Sequence, residues 1–173
     1  MRNQGIGSWP RRRARMTPNK VALTCDGRDT TYAELAERVN RLADALRGLG
    51  VRPANHSSYV ETLFATGLLG AVFVPLNFRL AVPELTFILG DCGAELLIAG
   101  RSHRHLAEQL DVRRKIFDDE GGEYEKLVAS GRPDPIDEEV GLDQLCLIMY
   151  TSGTTGQPKG AMLSHGNLTW NTY

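Results

Sequence analysis

The stretch that most constrains the fold of this 173-residue chain runs from Leu145 to Gly160. Leu145-Cys146-Leu147-Ile148-Met149-Tyr150 carries no charge and has the length of one strand buried in a sheet. It empties directly into Thr151-Ser152-Gly153-Thr154-Thr155-Gly156-Gln157-Pro158-Lys159-Gly160. That loop offers four side-chain hydroxyls, three glycines and one ammonium within ten residues. A glycine-rich turn leaving the carboxyl end of a strand is where open α/β sheets bind ligands.

The chemistry of the loop points to an oxygen-rich polyanion such as a triphosphate. Glycines let the backbone reach positive φ and bring its N–H groups close to a ligand. Consecutive N–H groups form a concave anion site, hydroxyls donate hydrogen bonds, and Lys159 adds a mobile point charge. Pro158 restricts the backbone just before the lysine. The loop is not the P-loop pattern, which needs glycine, four residues and then Gly-Lys-Ser/Thr; here proline precedes the lysine and glycine follows it. A plain Ser/Thr/Gly linker is the competing reading, but a linker has no reason to follow a six-residue apolar strand.

Strand and helix patterns alternate along the rest of the chain, which predicts an α/β architecture with a largely parallel sheet flanked by helices. Val21–Thr24 reads as a strand turning at Asp26-Gly27 toward Thr30-Thr31-Tyr32. Thr31 and Glu34 have capping-box spacing, and Leu35, Val39, Leu42, Leu46 and Leu49 mark one helix face, with Gly48 and Gly50 as its stop. Helices are expected at Tyr59–Leu69, from Pro83 to Leu89, at Ser102–Leu110, at Tyr124–Ala129 and from Ser164. Strands are expected at Val72–Asn77, Glu95–Ala99 and Arg114–Asp118.

A net charge of −1 gives no global case for nucleic-acid or membrane binding. The basic run Arg11-Arg12-Arg13-Ala14-Arg15 reads as a solvated helix face. No apolar run approaches the ~20 residues that span a bilayer, and the basic start lacks the apolar core of a signal peptide, so a cytoplasmic location is expected. Cys25, Cys92 and Cys146 read as reduced thiols. His103 and His105, with no third ligand evident, read as solvent-facing side chains rather than a metal pair, and Asp134, Asp137, Glu138 and Glu139 as a connector rather than a cation site.

The segment YTSGTTGQPKG, residues 150–160, resembles the signature loop of the adenylate-forming superfamily: acyl-CoA synthetases, peptide-synthetase adenylation domains and beetle luciferases. The likeness continues into Met162-Leu163-Ser164-His165-Gly166-Asn167-Leu168. Thr31-Tyr32-Ala33-Glu34-Leu35 and the stretch from Gly67 to Asn77 resemble two earlier motifs of the same superfamily. The chain is similar to the N-terminal part of long-chain fatty-acid–CoA ligases.

The resemblance implies the N-terminal part of an acyl-CoA-synthetase-like large domain, incomplete and spanning residues 1–173. Family members carry a further strand after the position of Pro53, so an internal deletion near 53–59 is expected, with strands left unpaired. The implied reaction is ATP-dependent ligation of a carboxylic acid to coenzyme A through an acyl-adenylate, with Mg2+ as cofactor. The resemblance assigns Thr151, Ser152, Gly153, Thr154, Thr155, Gly156 and Lys159 to the ATP phosphates, with Lys159 also handling pyrophosphate. His165 either stands near this site or has a structural role at the start of a helix, and is assigned no catalytic part.

The family's groups for adenine, magnesium, ribose and the acid fall beyond residue 173. This stretch alone is therefore expected to be inactive, with a separately encoded remainder as its expected partner. The alternatives are a piece of a peptide-synthetase adenylation domain, or a non-enzymatic phosphate-binding or interaction module.

Overall fold

The computed structural model describes residues 2–25, 27–49, 53–54, 59–119, 122–151 and 157–172. A 3-10 turn at Ile6–Ser8 leads into α1 (Trp9–Met16), whose Pro10 sits where a helix needs no amide donor. β1 (Val21–Cys25) and β2 (Arg28–Thr31) pair antiparallel around Gly27, at φ 74°; Asp26 lies outside the described residues.

Helix α2 (Tyr32–Leu49) starts on the expected capping box. The Thr31 amide donates to Glu34 Oε2 at 2.8 Å, and the Glu34 amide to Thr31 Oγ1 at 3.3 Å. Gly48 lies inside this helix and does not stop it; the last helical residue is Leu49, and Gly50 lies outside the described residues.

A two-residue strand, β3 (Pro53–Ala54), lies parallel to β4 at Leu96 and Leu97. Residues 55–58 lie outside the described residues. Helix α3 (Tyr59–Leu69) has the expected bounds and ends at Gly70, whose φ of 64° is the left-handed conformation that terminates helices. No strand forms over Val72–Asn77. Only Phe73 pairs, in a parallel bridge to Leu147, and Pro75 has no amide to extend it.

Next come α4 (Val82–Asp91), β4 (Leu96–Gly100), α5 (Arg104–Glu108), β5 (Arg114–Asp118) and α6 (Glu123–Ser130). The chain then forms β6 (Leu145–Thr151), β7 (Lys159–Ser164) and α7 (His165–Trp170).

The parallel part of the fold is the three-stranded sheet β3-β4-β5. The side chains of β4 and β5 alternate between faces, as strand geometry requires. Leu96, Ile98 and Ile116 join Leu35, Val39, Leu42 and Leu46 of α2 in one core, completed by α3 and α6. Leu97, Ala99 and Phe117 point the other way, into a second core with Leu85 and Leu89 of α4 and Ala107 of α5. Each of the Leu, Ile, Val and Phe side chains contributes about 1.5–3 kcal/mol on burial. The α/β class therefore stands, while the β1-β2 and β6-β7 pairs are antiparallel. Their connections are too short for the dozen or more residues that a parallel crossover needs.

Asp137 accepts the amides of Arg2 and Asn3 at 3.0 and 3.2 Å, which holds its carboxyl below the usual range and ties the connector to the chain's start. Among the described residues no helix is long and apolar enough to cross a membrane.

Candidate functional site

The apolar strand and the polar loop are two parts of one hairpin. β6 and β7 run antiparallel in a register that pairs Ile148 with Met162, Tyr150 with Gly160, and Thr151 with Lys159. Thr151 and Lys159 thus face each other as the last pair before the connection, which places their backbones ~5 Å apart. Both are exposed. Among the described residues, no carboxylate lies within ion-pair distance of the Lys159 ammonium, so its charge is uncommitted. Ser152, Gly153, Thr154, Thr155 and Gly156 lie outside the described residues.

Two sequence expectations change here. Lys159 and Gly160 belong to a strand, and Gly160 is a cross-strand neighbour of Tyr150 rather than part of the turn. β6 is buried near its start and opens to solvent toward the loop: Cys146 and Leu147 pack with Ile6 and Phe73, whereas Met149 and Met162 are exposed.

Beyond the hairpin, Ser164 caps α7. Its Oγ accepts the Asn167 amide at 3.1 Å, and Asn167 Oδ1 accepts the Ser164 amide at 2.9 Å. His165 is fully buried, and its Nδ1 accepts the Ile6 amide at 3.2 Å. Burial lowers its pKa, so it is a neutral structural group behind the hairpin.

Burial pushes the Cys146 thiol up to about 12, which removes it as a nucleophile. Tyr150 donates to Asp91 Oδ2 at 2.6 Å. Burial, and then this bond, raises the Tyr150 phenol above its ordinary value. Sequence reasoning missed the contact because its partners stand 59 positions apart.

The other candidates resolve into packing. The His103 ring lies 5.3 Å from that of Phe78, at the edge of an open apolar cavity of about 510 Å³ between α4, α5 and β4. No lining residue of that cavity belongs to β6 or β7. Among the described residues, no group of three or more His, Cys, Asp or Glu side chains is placed to hold a metal ion.

The pattern that defines the AMP-binding enzymes matches residues 10–173. A feruloyl-CoA synthase from an Amycolatopsis species is 54% identical over 184 residues, covering 99% of this chain and 35% of its own length. An indoleacetate–CoA ligase of Aromatoleum aromaticum is 40% identical over 186 residues, covering 96% of this chain and 36% of its own. The chain thus spans about a third of the length of these relatives. Among solved structures, the inhibitor-bound N-terminal domain of FACL13 from Mycobacterium tuberculosis superposes with a TM-score of 0.83 at 34% identity, covering 93% of this chain and 44% of that one.

Proposed function

The chain belongs to the AMP-binding enzyme family, and from that premise we propose that it carries the ATP phosphate-binding loop of a carboxylic acid:CoA ligase. In that reaction a carboxylate oxygen attacks the α-phosphorus of ATP, the bond to pyrophosphate breaks, and an acyl-adenylate forms. The thiol of coenzyme A then attacks the acyl carbon and AMP leaves. Expelling pyrophosphate requires charge on the β- and γ-phosphates to be met by fixed donors and a cation.

Thr151, Ser152, Thr154 and Thr155 supply hydroxyls for those phosphates, and Gly153 and Gly156 supply amides. Lys159 supplies the cation that holds the pyrophosphate and helps its release. The observation that carries this reading is the hairpin mouth, where the exposed, uncommitted Lys159 stands opposite Thr151. A solvent linker would have no reason to be closed by a paired strand.

The names of the two relatives support ligation to coenzyme A over the peptide-synthetase reading, and both acids they name carry an aromatic ring, which supports an aromatic acid as substrate. This stretch offers Mg2+ and coenzyme A no assigned residue. Contacts to adenine and to the acid belong to the remaining length of such enzymes.

Isothermal calorimetry of Mg-ATP binding to the chain and to Lys159→Ala tests the reading. Losing one charge-assisted contact should weaken binding roughly tenfold. Melting should stay unchanged, because the lysine touches no described carboxylate. Equal affinity in the two proteins would remove Lys159 from the site.

A further inference from the structure

The hairpin mouth is tied to the rest of the fold through the ring of Tyr150. Tyr150 immediately precedes Thr151, and Gly160, its cross-strand partner, immediately follows Lys159. A Cβ built on Gly160 would stand 3.2 Å from Tyr150 Cζ and 2.7 Å from Ile148 Cγ2. The Tyr150 ring therefore lies across the bare Cα of Gly160, in space that any other residue would fill. From there its hydroxyl reaches Asp91 Oδ2 at 2.6 Å, within the short range of a hydroxyl bonded to a carboxylate.

Asp91 is the last residue of α4. A carboxylate there opposes the helix dipole, whose C-terminal end is negative, so the residue does not serve the helix that carries it. Residues that break a local rule are compensated elsewhere, and here the compensation is the Tyr150 hydroxyl. α4 also packs through Leu85 and Leu89 against Leu97 and Ala99 of the parallel sheet. The contact thus connects the sheet's outer core to the residue pair from which the loop springs.

We propose that Asp91 is a positioning residue for the phosphate-binding loop: it anchors Tyr150 over Gly160 and so fixes the Thr151–Lys159 mouth against α4. The effect on ligand rests on the phosphate-binding reading above; the anchor itself does not.

The test compares the wild type with Tyr150→Phe, Asp91→Ala, their double variant and Asp91→Asn, which keeps an acceptor for the hydroxyl. Amide hydrogen exchange at 150, 151, 159 and 160 is followed without ligand, and pyrophosphate affinity by calorimetry. The proposal expects each single loss to speed exchange at the mouth about tenfold, leaving α2 unchanged and α4 no less protected. The double variant should match the singles, and Asp91→Asn should stay near wild type. Pyrophosphate affinity should fall about fivefold in the two singles.

Additive effects in the double variant, or unchanged exchange in the singles, would overturn the anchor. Altered exchange with unchanged affinity, in a wild type that binds, would overturn its service to the loop. A wild type that binds no pyrophosphate would overturn the phosphate reading and with it that service, while exchange still decides the anchor.

Discussion

Nδ1 of His165 accepts the backbone N–H of Ile6 at 3.2 Å, joining the start of the chain to the helix that follows the hairpin. An amide can only donate, so this nitrogen must carry the lone pair and the proton must sit on Nε2. Nε2 is buried with no hydrogen-bond partner among the described residues. The fit is close: a Cβ on Gly5 would stand 2.8 Å from Nδ1. Charging the ring would set a donor against a donor in a fully buried place.

That geometry fixes the sign of a pH effect. Burial lowers the His165 pKa from its ordinary value of 6.5, so below that value the unfolded chain takes up a proton that the native chain refuses. The contribution of neutral His165 is fully present above about pH 6.5 and is lost as pH falls toward the lowered value. The melting temperature should therefore drop between pH 7 and pH 5. In His165→Asn, whose side-chain oxygen can take the place of Nδ1, the drop should be smaller. Asp44, Asp137, Glu34 and Glu125 all titrate below the usual carboxylate range and stay out of this window. An equal slope in both proteins would assign the effect elsewhere.

Much of this fold was legible in the chain because local signals and packing agree. The α2 leucines recur at helical spacing, and all but the half-buried Leu49 are buried. The Thr31–Glu34 pair forms a cap, a helix starts beside Ser164 as expected, and Arg114–Asp118 is a strand with the expected bounds. What escaped depends on partners distant in sequence. Lys159–Ser164 has no strand pattern of its own and becomes one by pairing with β6. Val72–Asn77 has a strand's composition, but only Phe73 finds a partner. Of the seven predicted phosphate-site residues, Thr151 and Lys159 are brought together, and the other five fall outside the described residues.

Arg38 links three helices, and its two carboxylate partners should not count equally. Its guanidinium bonds Glu61 of α3 at 2.6 and 3.1 Å and Glu125 of α6 at 3.0 and 2.7 Å. The Glu61 side chain is 13% exposed and also accepts the Tyr124 hydroxyl at 2.7 Å, whereas Glu125 is 59% exposed. Removing Glu61 takes away a sheltered carboxylate that accepts from both Arg38 and Tyr124, at a cost of about 1–3 kcal/mol; removing Glu125 should cost under about 1 kcal/mol. Urea unfolding of Glu61→Ala and Glu125→Ala measures both. Added salt should shrink only the Glu125 effect, and equal losses would contradict the difference in shelter.

Glycines separate into those that packing requires and those it merely tolerates. A Cβ on Gly7 would run into the Leu68 amide nitrogen and the Gly67 carbonyl carbon, and one on Gly131 into the Arg41 carbonyl oxygen. These neighbours are backbone, so relief needs whole segments to move: the N-terminal turn off α3 in one case, the end of α6 off α2 in the other. Gly7→Ala and Gly131→Ala should each cost about 1–3 kcal/mol or more, the range for overfilled cores. Gly48 and Gly90 lie inside α2 and α4 with nothing within 4 Å of a built Cβ. Alanine at either should stabilise by about 0.5–1 kcal/mol through helix propensity. Thermal melts of the four variants should therefore move in opposite directions by pairs. A destabilised Gly48→Ala would show that the solvent-facing side of α2 is in contact with something, and a tolerated Gly7→Ala would show that the N-terminal turn is not pressed against α3 in solution.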